Sequence, residues 1–113
     1  MKQVTAIFQP HRLDQVEQAL HELPHLPGFT IHSARGHARG HGADHRHTSD
    51  EWAPDMHDKL VMLVYCAEEH VPAVVAAIRQ AAYTGVPGDG IIAVTELVDL
   101  VRIRTGERGD AAA

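Results

Sequence analysis

The order of apolar periodicities constrains this chain more than any other feature. Val4 to Phe8 is a short apolar run with β-branched residues that ends at Pro10, which predicts a strand. Leu13, Val16, Leu20 and Leu23 then recur at helical spacing, with Glu17, Gln18 and His21 on the opposite side and Pro24 and Pro27 as the stop. Phe29 to Ala34 is a weaker extended segment. Lys59 to Ala67 is a near-continuous apolar run, the pattern of a buried central strand. Val71, Val74, Val75, Ile78 and Ala82 form a second helical stripe, opened by Glu69 and Pro72. Ile91 to Leu97 and Leu100 to Ile103 are again strand-like. Strand, helix, strand thus occurs twice, followed by a short extra strand. That order predicts an α+β, ferredoxin-like double βαβ fold with an antiparallel sheet. Two helices on one face leave the other face of such a sheet bare, a geometry that favours oligomers.

Between the halves lies a segment of different character, Gly36 to Asp58. Trp52 and Met56 are its only large apolar residues, and His37, His41, His45, His47 and His57 fall within it. So long a structureless stretch inside one domain is functional or disordered, and its composition predicts a protruding, mobile loop. Imidazole suits Zn, Cu and Ni, which makes His37, His41, His45 and His47 candidate metal ligands. The first three stand at i, i+4 spacing, but the interleaved glycines oppose a helix, so a site would form on binding or between subunits. Asp44, Asp50 and Asp55 could add oxygen ligands. His11, His21, His25 and His70 read as ordinary surface residues.

The 113 residues amount to one domain. Ten Lys and Arg against fifteen Asp and Glu give −5, which argues against a nucleic-acid partner. Ten His make that charge sensitive to mild acid. Cys66 is the lone cysteine, so no disulfide joins the chain to itself, and its apolar strand marks it as core rather than nucleophile. The N-terminus has no leader-like apolar region, and the longest apolar run falls far short of the ~20 residues of a membrane helix. The expectation is a cytoplasmic protein without membrane insertion. Asp14 and Glu17 read as a helix start and a solvated face, and no acid/base pair or activated nucleophile can be named, so the chain reads as no enzyme.

Two motifs carry chemistry. Thr84-Gly-Val-Pro-Gly-Asp-Gly90 is a glycine-rich loop without the ending of a Walker A motif. Its backbone N–H groups could cradle phosphate. In Val101-Arg-Ile-Arg-Thr-Gly-Glu107, Arg102 and Arg104 on a strand would share one face and grip phosphate oxygens as a fork.

Together with Ala6-Ile-Phe-Gln-Pro-His-Arg-Leu-Asp-Gln-Val-Glu-Gln-Ala-Leu20, these motifs resemble the P-II signal-transduction family over nearly the whole chain. The resemblance implies a single domain, 1–113, that forms homotrimers. It implies a T-loop at about 36–58, a B-loop at 84–90 and a C-terminal loop at 102–113. It also implies adenine nucleotides (ADP, AMP or ATP) bound between subunits, with Gly36, Arg39, Lys59, Gly88, Asp89, Gly90, Arg102 and Arg104 matching the site, and a partner protein met through the T-loop.

The departures from the family pattern mark a divergent paralogue. Ile91 replaces the B-loop lysine, Ala38 a T-loop glycine, Gly40 the glutamine that helps hold Mg and 2-oxoglutarate, and Trp52 the tyrosine that is uridylylated in many members. Lys59, which would pair with the 2-oxoglutarate carboxylate, is kept. Divergent members of the family sit beside heavy-metal efflux pumps or serve inorganic-carbon uptake. The His-rich loop favours control of a membrane transporter such as a metal efflux pump. The alternatives are the standard regulator of nitrogen metabolism, an inorganic-carbon-linked protein, and a metal-binding protein on this fold.

Overall fold

The structure is a computed structural model that describes residues 1–37 and 56–113. Strand β1 (Lys2–Phe8) alternates in burial, with Val4, Ala6 and Phe8 pointing into the core. A single turn, Pro10–Arg12, leads into helix α1 (Leu13–His21), which buries Val16 and Leu20 one turn apart. The helix ends at His21, short of Pro24. Strand β2 (Phe29–Gly36) follows, then β3 (His57–Cys66), helix α2 (Val71–Ala82) and β4 (Gly90–Glu96). The four strands lie in the order β2-β3-β1-β4, and every pairing is antiparallel.

The registers sort the sheet into two faces. Val4 stands between Val64 and Val94, and Ala6 between Met62 and Ile92, on the side that packs on the helices. Phe8, Leu20, Met62 and Ile78 are fully buried there, each contributing about 1.5–3 kcal/mol relative to exposure. Cys66 shares this core, and burial raises its thiol pKa, as suits packing rather than nucleophilic chemistry. Thr5 between Leu63 and Ala93, and Ile7 between Val61 and Ile91, stand on the opposite face, away from α1 and α2. The predicted double βαβ arrangement with one open sheet face is the arrangement found.

Leu100 to Ile103 departs from expectation. It forms no strand of the sheet: Val101 makes an isolated bridge to Arg108. The backbone turns on itself there. Arg102 N–H donates to the Glu107 carbonyl at 2.9 Å, Gly106 N–H to the Arg102 carbonyl at 2.8 Å, and Gly109 N–H to the Leu100 carbonyl at 3.0 Å. Gly106, at φ +77°, allows that reversal. The segment satisfies its polar groups locally and so needs no partner strand.

Arg12 fastens the helices. Its Nε and guanidinium NH2 both donate to the Ala81 carbonyl, at 2.9 and 2.8 Å, placing a cation on the C-terminal end of α2.

Gly90 is where β4 meets β1 too closely for a side chain. Its φ is +120°, and a Cβ would stand 1.8 Å from the Ile7 carbonyl oxygen. Gly90→Ala should therefore cost at least about 2 kcal/mol in urea unfolding. Gly28→Ala, where a Cβ meets nothing within 4 Å, should stay within about 0.5 kcal/mol of the parent.

Candidate nucleotide site

The glycine-rich loop is closed from within. The Asp89 carboxylate accepts the Thr84 N–H at 2.8 Å and the Gly85 N–H at 3.0 Å, and its other oxygen accepts the Thr84 hydroxyl. Thr84 Oγ1 in turn accepts the Val86 N–H at 3.2 Å. These bonds, led by the Thr84 hydroxyl and assisted by the nearby Arg12 guanidinium, hold the Asp89 pKa below the ordinary carboxylate range. Asp89 thus serves the loop's shape, with its carboxylate committed inside the loop. Gly90 is required by the β1–β4 contact.

The loop is also tied to its surroundings. The Gly88 carbonyl accepts Gln9 Nε2 at 2.7 Å and Lys59 Nζ at 3.0 Å. Lys59 is only 6% exposed, and Gly88 is the one acceptor of its ammonium among the described residues. With that carbonyl held inward, the N–H groups of Gly88 and Asp89 find no acceptor among the described residues. Gly36 closes β2 opposite His57, and a Cβ added there would stand 3.8 Å from Lys59 Cγ, an ordinary van der Waals contact. Gly36, Lys59, Gly88, Asp89 and Gly90 therefore gather at one end of the sheet.

Arg102 and Arg104 are elsewhere. They line a cleft of about 790 Å³ with Gly28, Phe29, Thr30, Leu63 and Tyr65. Both arginines are exposed, on the turn that 102–107 makes with itself, so strand alternation is not what aims them. No residue from 84 to 90 lines this cleft. The candidate site thus comes in two halves on different surfaces of one chain. Leu63, Tyr65 and Gly28 were not nominated by the sequence, because they carry no motif and meet Arg102 only as walls of the same cleft.

Arg39, His41, His45 and His47 lie outside the described residues, as do Ala38, Gly40 and Trp52. His37 is exposed directly after β2. Among the described residues no group of three ligating side chains converges on one point, and no helix is long and apolar enough to cross a membrane.

Residues 1–107 match the family model described as Nitrogen regulatory protein P-II. The chain belongs to the P-II family. It is 41% identical over 109 residues to the nitrogen regulatory protein P-II of Rhizobium meliloti, covering 96% of each chain. It is 36% identical over 112 residues to the nitrogen regulatory protein GlnK of Escherichia coli K12, covering 99% of each. A crystal structure of Arabidopsis thaliana PII bound to citrate superposes with a TM-score of 0.78 at 32% identity, over 98% of this chain and 87% of that one. P-II proteins are regulators in signal transduction and not enzymes, and this chain is such a regulator.

The Asp89 network sets a pH dependence. A carboxylate whose folded pKa is depressed stabilises the fold above its unfolded pKa of about 3.9, and that contribution is lost as pH falls through the lower folded value. The Thr84 and Gly85 amide resonances should therefore hold steady from neutrality down past pH 5 and move together only below about pH 4. Asp89→Ala should speed hydrogen exchange at both amides several-fold at neutral pH, with the amides of β1 unchanged.

Proposed function

We propose that the chain is a trimeric P-II regulator that binds adenine nucleotides in clefts shared between subunits. The observation that carries the reading is the separation of the two halves. Lys59 and the N–H groups of Gly88 and Asp89 stand at one end of the sheet. Arg102 and Arg104 stand in a cleft that excludes them. Each half has phosphate-binding chemistry, and two neighbouring copies can supply both to one nucleotide. The open sheet face, with Ile91 64% exposed, and the fully exposed Ile103 are apolar surface that association would cover.

The partner would be met through residues 36–58. Four imidazoles within eleven residues favour a loop that takes up Zn, Cu or Ni and then docks on a membrane transporter such as a metal efflux pump. Nitrogen regulation is the second reading, favoured by the names of the relatives. A polycarboxylate ligand would strengthen it: the Arabidopsis protein is bound to citrate, and Lys59 here is a buried ammonium whose one acceptor among the described residues is a carbonyl. Against a Mg-dependent 2-oxoglutarate site stands Gly40, which has no side chain to ligate.

Light scattering should give three times the 12.4 kDa chain mass. In calorimetric titration ADP and AMP should bind within about tenfold of ATP, since Ile91 offers a terminal phosphate no charge-assisted bond, typically ~1.5–3 kcal/mol. Arg102→Ala should weaken all three nucleotides by about 10- to 100-fold, the same magnitude expressed as affinity. A monomer, or ATP a hundredfold tighter than ADP, would contradict the reading.

A further inference from the structure

Gln9 is not among the residues that the motifs nominate for the nucleotide site, yet its side chain ends on the same atom as Lys59. It directly follows β1 and precedes Pro10, in an extended conformation at φ −72° and ψ 134°, as a residue before proline is held. Its carbonyl accepts the Arg12 N–H at 3.0 Å, so its backbone is fixed on both sides. From that anchor Nε2 donates to the Gly88 carbonyl at 2.7 Å. Lys59 Nζ donates to the same oxygen at 3.0 Å. A Cβ on Gly88 would stand 3.4 Å from Gln9 Nε2 and 4.0 Å from Lys59 Nζ, so both donors crowd one small space. The same short turn carries Arg12, which holds the Ala81 carbonyl just ahead of the loop.

We propose that Gln9 is a positioning residue of the nucleotide site: it keeps the Gly88 carbonyl bonded and in place when the Lys59 ammonium moves to a ligand phosphate. The inference rests on the nucleotide reading above. A carbonyl oxygen has two lone pairs, and two donors occupy this one. The donors differ in what else they can do. An ammonium has three N–H groups, and the buried Lys59 has one acceptor among the described residues. It therefore gains from a further acceptor, above all an anionic one. The Gln9 amide is neutral and has less to gain, so it stays on the carbonyl. When a phosphate draws Lys59 away, Gly88 keeps one bond, and the N–H groups of Gly88 and Asp89 keep their place. Without Gln9 the same move strips the carbonyl of both donors, which weakens binding. Gln9 thus lowers the cost of recruiting Lys59 without touching the ligand.

The test titrates the full chain with ADP by calorimetry, as the parent, Gln9→Leu, Lys59→Met and the double variant. Gln9→Leu should bind ADP about tenfold more weakly than the parent, the order of effect of an acceptor left unpaired. In the Lys59→Met background there is no ammonium to recruit, so adding Gln9→Leu should change ADP affinity by less than about twofold. A merely structural role would give the same loss in both backgrounds. Carbon-13 NMR gives a second reading if Lys59→Met does not fold. ADP should move the Gly88 carbonyl resonance farther in Gln9→Leu than in the parent, because only there does the carbonyl lose its last donor. Equal ADP affinity in Gln9→Leu and the parent, an equal loss with and without Lys59, or equal carbonyl shifts would overturn the role of Gln9 and leave the nucleotide reading standing. No ADP binding by the parent would overturn that reading, and this inference with it.

Discussion

One carbonyl organises the functional end of this protein. Gly88 C=O receives both the Lys59 ammonium from β3 and the Gln9 amide from the end of β1. A buried ammonium left without a partner is costly, so the 84–90 loop is bound to the strand that begins where the 36–58 segment ends. The same contact engages the Gly88 carbonyl, while the Gly88 and Asp89 N–H groups have no acceptor among the described residues. Asp89 then braces the loop from its own interior through Thr84 and Gly85. Structural contacts occupy the Gly88 carbonyl, the Asp89 carboxylate and the Thr84 hydroxyl oxygen, so those acceptors are already engaged.

That arrangement makes a regulator out of a small sheet. Gly36 and Lys59 stand at the base of the segment proposed to meet a partner, and Lys59 bonds the loop proposed to hold phosphate. A ligand that competes for the Lys59 ammonium would have to loosen its bond to Gly88, and so would bias loop and base together. Clefts shared between subunits, as proposed, would add a second dependence, because each nucleotide would read the relative placement of two subunits. In the proposed site Ile91, beside the loop, would affect which phosphate is held rather than whether a nucleotide binds.

Much of the fold was legible because burial imposes fixed periods. Val4, Ala6 and Phe8 alternate, and Val74, Ile78 and Ala82 recur at helical spacing, so strands and helices announce themselves. Leu100 to Ile103 has the same apolar character but closes hydrogen bonds within its own turn, which periodicity alone does not reveal. Site residues were legible as types and only partly as roles. The motif nominates Asp89 and Gly90 for a ligand and does not reveal the structural contacts they also make, the Asp89 carboxylate with Thr84 and Gly90 with Ile7. Leu63, Tyr65 and Gly28 carry no motif.

The central claim is that the Lys59–Gly88 end of one subunit and the Arg102–Arg104 cleft of another form one nucleotide site. Subunit mixing tests it most directly. Chains carrying Asp89→Ala and chains carrying Arg102→Ala are prepared separately, each expected to bind ADP poorly, then unfolded and refolded together in equal amounts. If the site is shared, roughly a quarter of the clefts receive an intact half from each neighbour, and tight ADP binding returns at about that stoichiometry. If the mixture binds no better than either parent, both halves belong to one chain and the account fails.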